Sequence, residues 1–209
     1  MPLHSEISGF ILAGGASSRL GRNKALVELG GQPMLRRMAG LLDPLVARVV
    51  VIGPPEEYAG LGLRVIPDDE PGLGPLGGIA TAMRVSEQSC NLIVGCDLPF
   101  LTSEWLEHLI GRALGSQVDI LLPVSEAGAE PLCAMYHRRC REAFRAALDR
   151  GVRKVTGAFA GLAVEEIIAD EWKAFDSKGT LFKNMNTPAD YEEARRRIVS
   201  PASSRPSSA

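Results

Sequence analysis

Cysteine and histidine are scarce in this chain, and neither residue is grouped. The four cysteines, Cys90, Cys96, Cys133 and Cys140, form no Cys-x-x-Cys pair, and the three histidines, His4, His108 and His137, are scattered along the sequence. This argues against the ligand spacing of a zinc site and leaves the thiols as small, reduced core residues. An excess of positive charge is missing as well: 23 basic residues stand against 25 acidic ones, for a formal net charge of −2. Broad electrostatic docking to nucleic acid or to an anionic membrane is therefore not expected, and any recognition of phosphate has to be local. No apolar run is long enough to span a bilayer, and Met1 to Gly9 carries no basic segment ahead of an apolar stretch. The expectation is a cytoplasmic protein.

What the chain does contain is an ordinary globular balance, with 45% hydrophobic and 23% charged residues over 209 positions. That length suits one α/β domain, expected over residues 1–199. The last stretch, Pro-Ala-Ser-Ser-Arg-Pro-Ser-Ser-Ala, has too few apolar side chains to join a core, so 200–209 reads as a disordered tail. Short runs of branched apolar residues, Ile7 to Leu12, Val49 to Ile52, Leu63 to Ile66 and Asn91 to Gly95, alternate with segments of helical periodicity. The helical segments carry Leu35, Met38, Leu41 and Leu42, then Ile79 and Met83, then Trp105, Leu106, Leu109 and Ile110. Such alternation predicts a single doubly wound, mostly parallel sheet flanked by helices, with ligands at the carboxyl ends of its strands.

Each of those strands stops at residues with chemical use. The first runs into Leu12-Ala13-Gly14-Gly15, and Arg19 and Lys24 follow within ten residues of the second glycine. Adjacent glycines let main-chain amides turn inward on an anion. A dinucleotide fingerprint would need two further glycines at fixed spacing, and these are absent. A Walker loop would need Lys and then Ser or Thr directly after its last glycine, whereas Gly21 is followed by Arg22 and Asn23, and Lys24 by Ala25.

The run Leu-Ala-Gly-Gly-x-Ser-Ser-Arg-Leu-Gly-x-x-Lys-Ala-Leu instead resembles the signature of nucleotidyltransferases, and within them the molybdenum cofactor guanylyltransferases. Gly74-Pro75-Leu76-Gly77-Gly78 resembles the family's second motif, which lies against the nucleoside, and Asp68 matches the acid ahead of it. Cys96-Asp97-Leu98-Pro99-Phe100-Leu101 is similar to the metal-binding pattern. Asn184-x-Asn186-Thr187-Pro188 is similar to the last motif, whose asparagine faces metal and phosphates. One departure is visible, since the family usually carries Asp where this chain has Asn23, a change expected to bear on the tuning of Lys24.

The resemblance implies a Rossmann-like nucleotidyltransferase fold and the transfer of GMP from GTP to the phosphate of molybdopterin. Leu12, Ala13, Gly14, Gly15, Lys24, Asp68 and Asp97 would hold the nucleotide. Arg19, Lys24 and Asp97 would carry the chemistry, with Mg2+ on Asp97 and Asn186. Transient contact with molybdoenzymes or cofactor-delivery proteins would follow. The residues themselves agree with a reaction lacking a covalent nucleophile, because there is no Gly-x-Ser-x-Gly elbow and the histidines show no pattern suggesting a base. An aspartate at a strand end beside a phosphate loop suits a hard divalent cation. Two alternatives stay open: a relative using CTP or another phosphorylated acceptor, and a nucleotide- or cofactor-binding protein without chemistry. Arg138, Arg139, Arg141, Arg145 and Arg150 make one later helix basic, which a solvated face explains as well as an acceptor phosphate does.

Overall fold

A computed structural model of the chain describes residues 2–14, 23–176 and 178–199. Strand β1 (His4–Leu12) comes first. After residues 15–22 a 3-10 turn (Lys24–Leu26) and a small hairpin of β2 (Glu28–Leu29) and β3 (Gln32–Pro33) lead into helix α1 (Met34–Leu42). Next come β4 (Val46–Ile52), α2 (Pro55–Tyr58), a second 3-10 turn (Ala59–Leu61), β5 (Val65–Ile66) and α3 (Pro75–Val85). They are followed by β6 (Cys90–Gly95), α4 (Ser103–Leu114), β7 (Ile120–Ser125), β8 (Gly128–Ala129) and β9 (Cys133–His137). Helix α5 (Cys140–Asp149), a 3-10 turn (Val155–Ala158), β10 (Val164–Ile167), α6 (Ala169–Trp172) and α7 (Pro188–Val199) complete the described chain.

The main sheet has the order β10-β7-β9-β6-β1-β4-β5, with β8 paired to β7. Strand β1 is parallel to both β4 and β6, β4 to β5, and β7 to β10, while β9 runs antiparallel to β6 and β7. The mostly parallel, doubly wound expectation therefore holds. Alternate side chains of the strands enter two separate cores. Ile11, Val51, Leu92 and Val94 pack with α1 and α4, and Phe10, Val50, Ile52 and Ile93 pack with α3 and α5. A two-residue period on strands covered on both faces is what makes them read as continuous apolar runs.

From β1 the chain winds out through β4 to β5, then crosses back to β6 on the other side of β1. The strand that follows β1 in sequence thus lies on one side of the β1/β6 pair, and the strands that follow β6 lie on the other. This is the switch point at which doubly wound sheets open a crevice beyond their carboxyl ends. Two backbone bonds draw the crevice walls together: the Ala13 amide donates to the Ile52 carbonyl at 2.9 Å, and the Cys96 amide donates to the Leu12 carbonyl at 3.1 Å.

The last helix is attached to the same end of the sheet. The Thr187 hydroxyl accepts from the Asp190 amide at 3.2 Å, and Asp190 Oδ2 accepts from the Thr187 amide at 2.9 Å, a reciprocal cap for α7. Asp190 Oδ2 also accepts from the Asn186 amide at 3.1 Å, and the Met185 amide donates to the Asp97 carbonyl at 2.8 Å. The cap thus orients the residue ahead of the helix as well as the helix itself. Asp190→Ala is expected to cost about 1 kcal/mol of stability, the usual scale for a lost cap. A lower melting temperature in thermal denaturation is the expected outcome.

Candidate active site

A cavity of about 420 Å3 opens at the switch point. The end of β1 supplies Leu12, Ala13 and Gly14, the end of β4 supplies Ile52, and the end of β6 supplies Gly95, Cys96 and Asp97. Asp68 lines it from the stretch after β5, and Gly74, Pro75 and Gly78 from the start of α3. Asn23, Lys24 and Leu132 also line it.

Glycine is required here for space. At Gly77 an added Cβ would sit 3.0 Å from the Glu70 carbonyl, so a side chain would push α3 away from the loop before it. At Gly95 an added Cβ would lie 2.9 Å from Asp97 Oδ1 and 3.5 Å from Leu132 Cβ. The carboxylate of Asp97 therefore occupies room that a side chain at position 95 would take.

The charged centre is small. Lys24 Nζ approaches Asp97 Oδ2 at 3.3 Å and also donates to Asn186 Oδ1. Three residues from distant parts of the chain thus place two hard oxygens around one cation. Both side chains of the ion pair are largely covered, at 17% and 23% exposed, which limits screening while leaving a path for ligand. Among the described residues no three His, Cys, Asp or Glu side chains gather into a metal cage. A pair of oxygens already converging on an ammonium suits a divalent ion that takes its other ligands from phosphate and water. The neighbouring Cys96 thiol is pushed up to about 12, first by burial and then by the charge of Asp97, so it stays protonated and unreactive.

Asp68 is held by its own loop. Its Oδ1 accepts from the Thr81 hydroxyl at 2.9 Å and from the Glu70 amide at 3.1 Å, while the Thr81 hydroxyl accepts from the Asp69 amide at 3.1 Å. Thr81 is one of the few buried polar residues, and these bonds account for its burial.

The structure brings Leu12, Ala13, Gly14, Lys24, Asp68, Asp97 and Asn186 to this one end of the sheet. Gly15 and Arg19 lie outside the described residues, as does the 200–209 tail. The basic helix offers less than its composition suggests: Arg139 pairs with Asp119 at 2.6 Å, and Arg145 with Glu70 and Asp149, each at 2.6 Å. Thr81 and Gly95 were not apparent from sequence, because a hydroxyl in an apolar helix and a glycine ending a strand carry no distinctive signal.

Comparison with known proteins gives a consistent picture. The chain matches the family described as the MobA-like NTP transferase domain over residues 9–163. It is 36% identical over 191 residues to a probable molybdenum cofactor guanylyltransferase of Pelotomaculum thermopropionicum, covering 91% of this chain and 92% of that one. A second protein of the same description, from Carboxydothermus hydrogenoformans, is 33% identical and covers 88% and 92%. Among solved structures, molybdopterin-guanine dinucleotide biosynthesis protein A of Archaeoglobus fulgidus superposes with a TM-score of 0.79 at 27% identity. It covers 91% of this chain and 97% of its own.

The crowding at Gly95 yields a direct test. Gly95→Ala should rotate the Asp97 carboxylate out of its place, and misplacements of this order cost up to ~10²-fold in rate. Weakened binding of a nucleoside triphosphate in the presence of a divalent cation, measured by calorimetry on the folded variant, is the expected result.

Proposed function

The chain belongs to the MobA-like NTP transferase family and is a nucleotidyltransferase, and from that premise we propose that it works as a molybdenum cofactor guanylyltransferase. It would move GMP from GTP to the phosphate of molybdopterin. A bond forms between an acceptor phosphate oxygen and the α-phosphorus, the bond from that phosphorus to the β-phosphate oxygen breaks, and pyrophosphate leaves. The observation that carries this reading is the convergence of Lys24, Asp97 and Asn186 at the crevice between β1 and β6. Residues 1–199 form the catalytic unit in this proposal.

The protein's task in such a transfer is alignment and neutralisation of charge rather than covalent attack. The Ala13 and Gly14 end of β1 would face the phosphates, with Gly15 and Arg19 assigned to the departing pyrophosphate by their place in the motif. Lys24 would meet negative charge as it builds on the leaving group. Its ammonium already sits beside Asp97, so phosphate arrival exchanges one anionic partner for another within a single pocket. Asp68 would face the nucleoside: Oδ1 is committed to Thr81 and Glu70, and Oδ2 has no protein partner among the described residues. The start of α3, with Gly74 in a left-handed conformation (φ 72°), would bring backbone groups close to the base.

Members of this class generally need a divalent metal, and we assign Mg2+ to Asp97 and Asn186. Bound there with phosphate oxygens, it would add positive charge at the reacting centre. No helix among the described residues is long and apolar enough to cross a membrane. We place the reaction in the cytoplasm, with brief docking to molybdoenzymes or delivery proteins as the route of the product onward.

Two experiments test this reading. Pyrophosphate release in the presence of Mg2+ and molybdopterin should be fast with GTP and slow with CTP or ATP. Preference for CTP would move the protein to the cytidylyl branch, and no release with any nucleotide would point to a binding protein. Asp97→Ala should lower turnover by at least ~10²–10³-fold while leaving the fold intact, as removal of one electrostatic group at a reacting centre does. Near-normal release in that variant would remove Asp97 from the mechanism.

A further inference from the structure

Tyr58 is 1% exposed, yet its hydroxyl is fully engaged. It donates to the Ala13 carbonyl at 2.6 Å and accepts from Asn23 Nδ2 at 3.2 Å. Asn23 uses both ends of its own amide. Its Oδ1 accepts from the Ala25 amide at 3.0 Å, capping the 3-10 turn that carries Lys24, and its Nδ2 also donates to Glu57 Oε2 at 2.5 Å. One phenol therefore ties the chain just before residues 15–22 to the chain just after them. Space for the relay comes from Gly53, where an added Cβ would lie 3.0 Å from Tyr58 Cε2 and 3.1 Å from the Ala13 carbonyl oxygen.

The direction of these bonds is fixed by elementary chemistry. A carbonyl only accepts, so the phenol proton points to Ala13 and the phenol oxygen needs a donor on its other side. Asparagine at position 23 supplies that donor and still has an acceptor for the Ala25 amide. A carboxylate would keep the acceptor, lose the donor and face Glu57. Burial holds the phenol up at about 12, against the opposing effect of the Asn23 bond, so the proton stays on the oxygen at neutral pH.

We propose that Tyr58 and Asn23 are positioning residues for Lys24, and that the amide at position 23 is required by the direction in which the Tyr58 hydroxyl is bonded. Tyr58 is not among the residues lining the cavity; Asn23 is, but both ends of its amide are engaged by Tyr58, Glu57 and Ala25. The pair sets where the backbone of Lys24 stands relative to the end of β1, and so where the ammonium meets the phosphates and Asp97. This rests on the reading of Lys24 given above, but it is open to a test that does not depend on the identity of the acceptor.

The test is a pair of double-mutant cycles read as kcat/KM for pyrophosphate release, with a parallel measurement of hydrogen exchange at the Ala25 amide. Tyr58→Phe should cost on the order of tenfold when Lys24 is present, since it strands a buried carbonyl. In the Lys24→Ala background it should cost less than about twofold, because residues acting through one group are non-additive. A purely structural tyrosine would cost the same in both backgrounds, and that result overturns the proposal. Asn23→Asp, which keeps the cap and the packing of the phenol, should be impaired alone, yet add nothing to Tyr58→Phe. Additive losses there would also overturn it. Exchange at Ala25 should speed up in Tyr58→Phe even if the enzyme proves to use a nucleotide other than GTP. Unchanged exchange would sink the relay while leaving the function standing.

Discussion

The site depends on one ammonium group held between two oxygens. Asp97 and Asn186 lie 73 and 162 positions beyond Lys24, and the lysine is the point where the three stretches meet. The ammonium is balanced by one carboxylate and further held by a neutral amide oxygen in a partly covered crevice, so a second anionic group can enter without leaving any charge alone. The sheet topology makes this meeting feasible. β1 and β6 are parallel neighbours, so Lys24, which follows one, and Asp97, which follows the other, meet at the same end of the sheet. Asn186 is brought in from the far end of the chain by the bond from the Met185 amide to the Asp97 carbonyl.

Around that centre the fold supplies supports of different kinds. Gly95 leaves volume for the Asp97 carboxylate, Thr81 holds one oxygen of Asp68, and the cap of α7 holds the backbone of Asn186. None of these groups needs to touch a ligand. Each fixes a group that would, by a hydrogen bond of ordinary length or by the absence of a methyl. Burial raises the Cys96 thiol beside this centre, so it stays protonated at neutral pH.

The sequence is unequally informative about these parts. Strand ends followed by glycines and a charged residue are readable because the branched apolar run stops abruptly there, as at Leu12 and Gly95. The cap of α7 is readable because Thr, Pro and Asp stand at fixed offsets. The direction of β9 is not, since an apolar run says nothing about which neighbour it pairs with. Strand β10 is hidden because Glu165 and Glu166 interrupt its pattern, and it lies at the sheet edge, where Val164 is partly open to solvent. Tyr58 is hidden for another reason: an aromatic after two prolines and two glutamates looks like packing, and its use depends on a partner 45 positions away. The arginines in and beside α5 suggest anion binding by composition, yet Arg139 and Arg145 serve as ties to Asp119, Glu70 and Asp149.

The distance of Asn186 from Lys24 along the polymer has a bearing on how the molecule is made. A ribosome releases residue 24 and residue 97 long before residue 186, so β1, β4 and β6 can pair while the third member of the trio is still unmade. During that interval the growing chain has a lysine and an aspartate to neutralise each other but lacks the amide oxygen of Asn186. The trio would then be completed late in synthesis, when the final helix docks and the residue ahead of it delivers its amide oxygen.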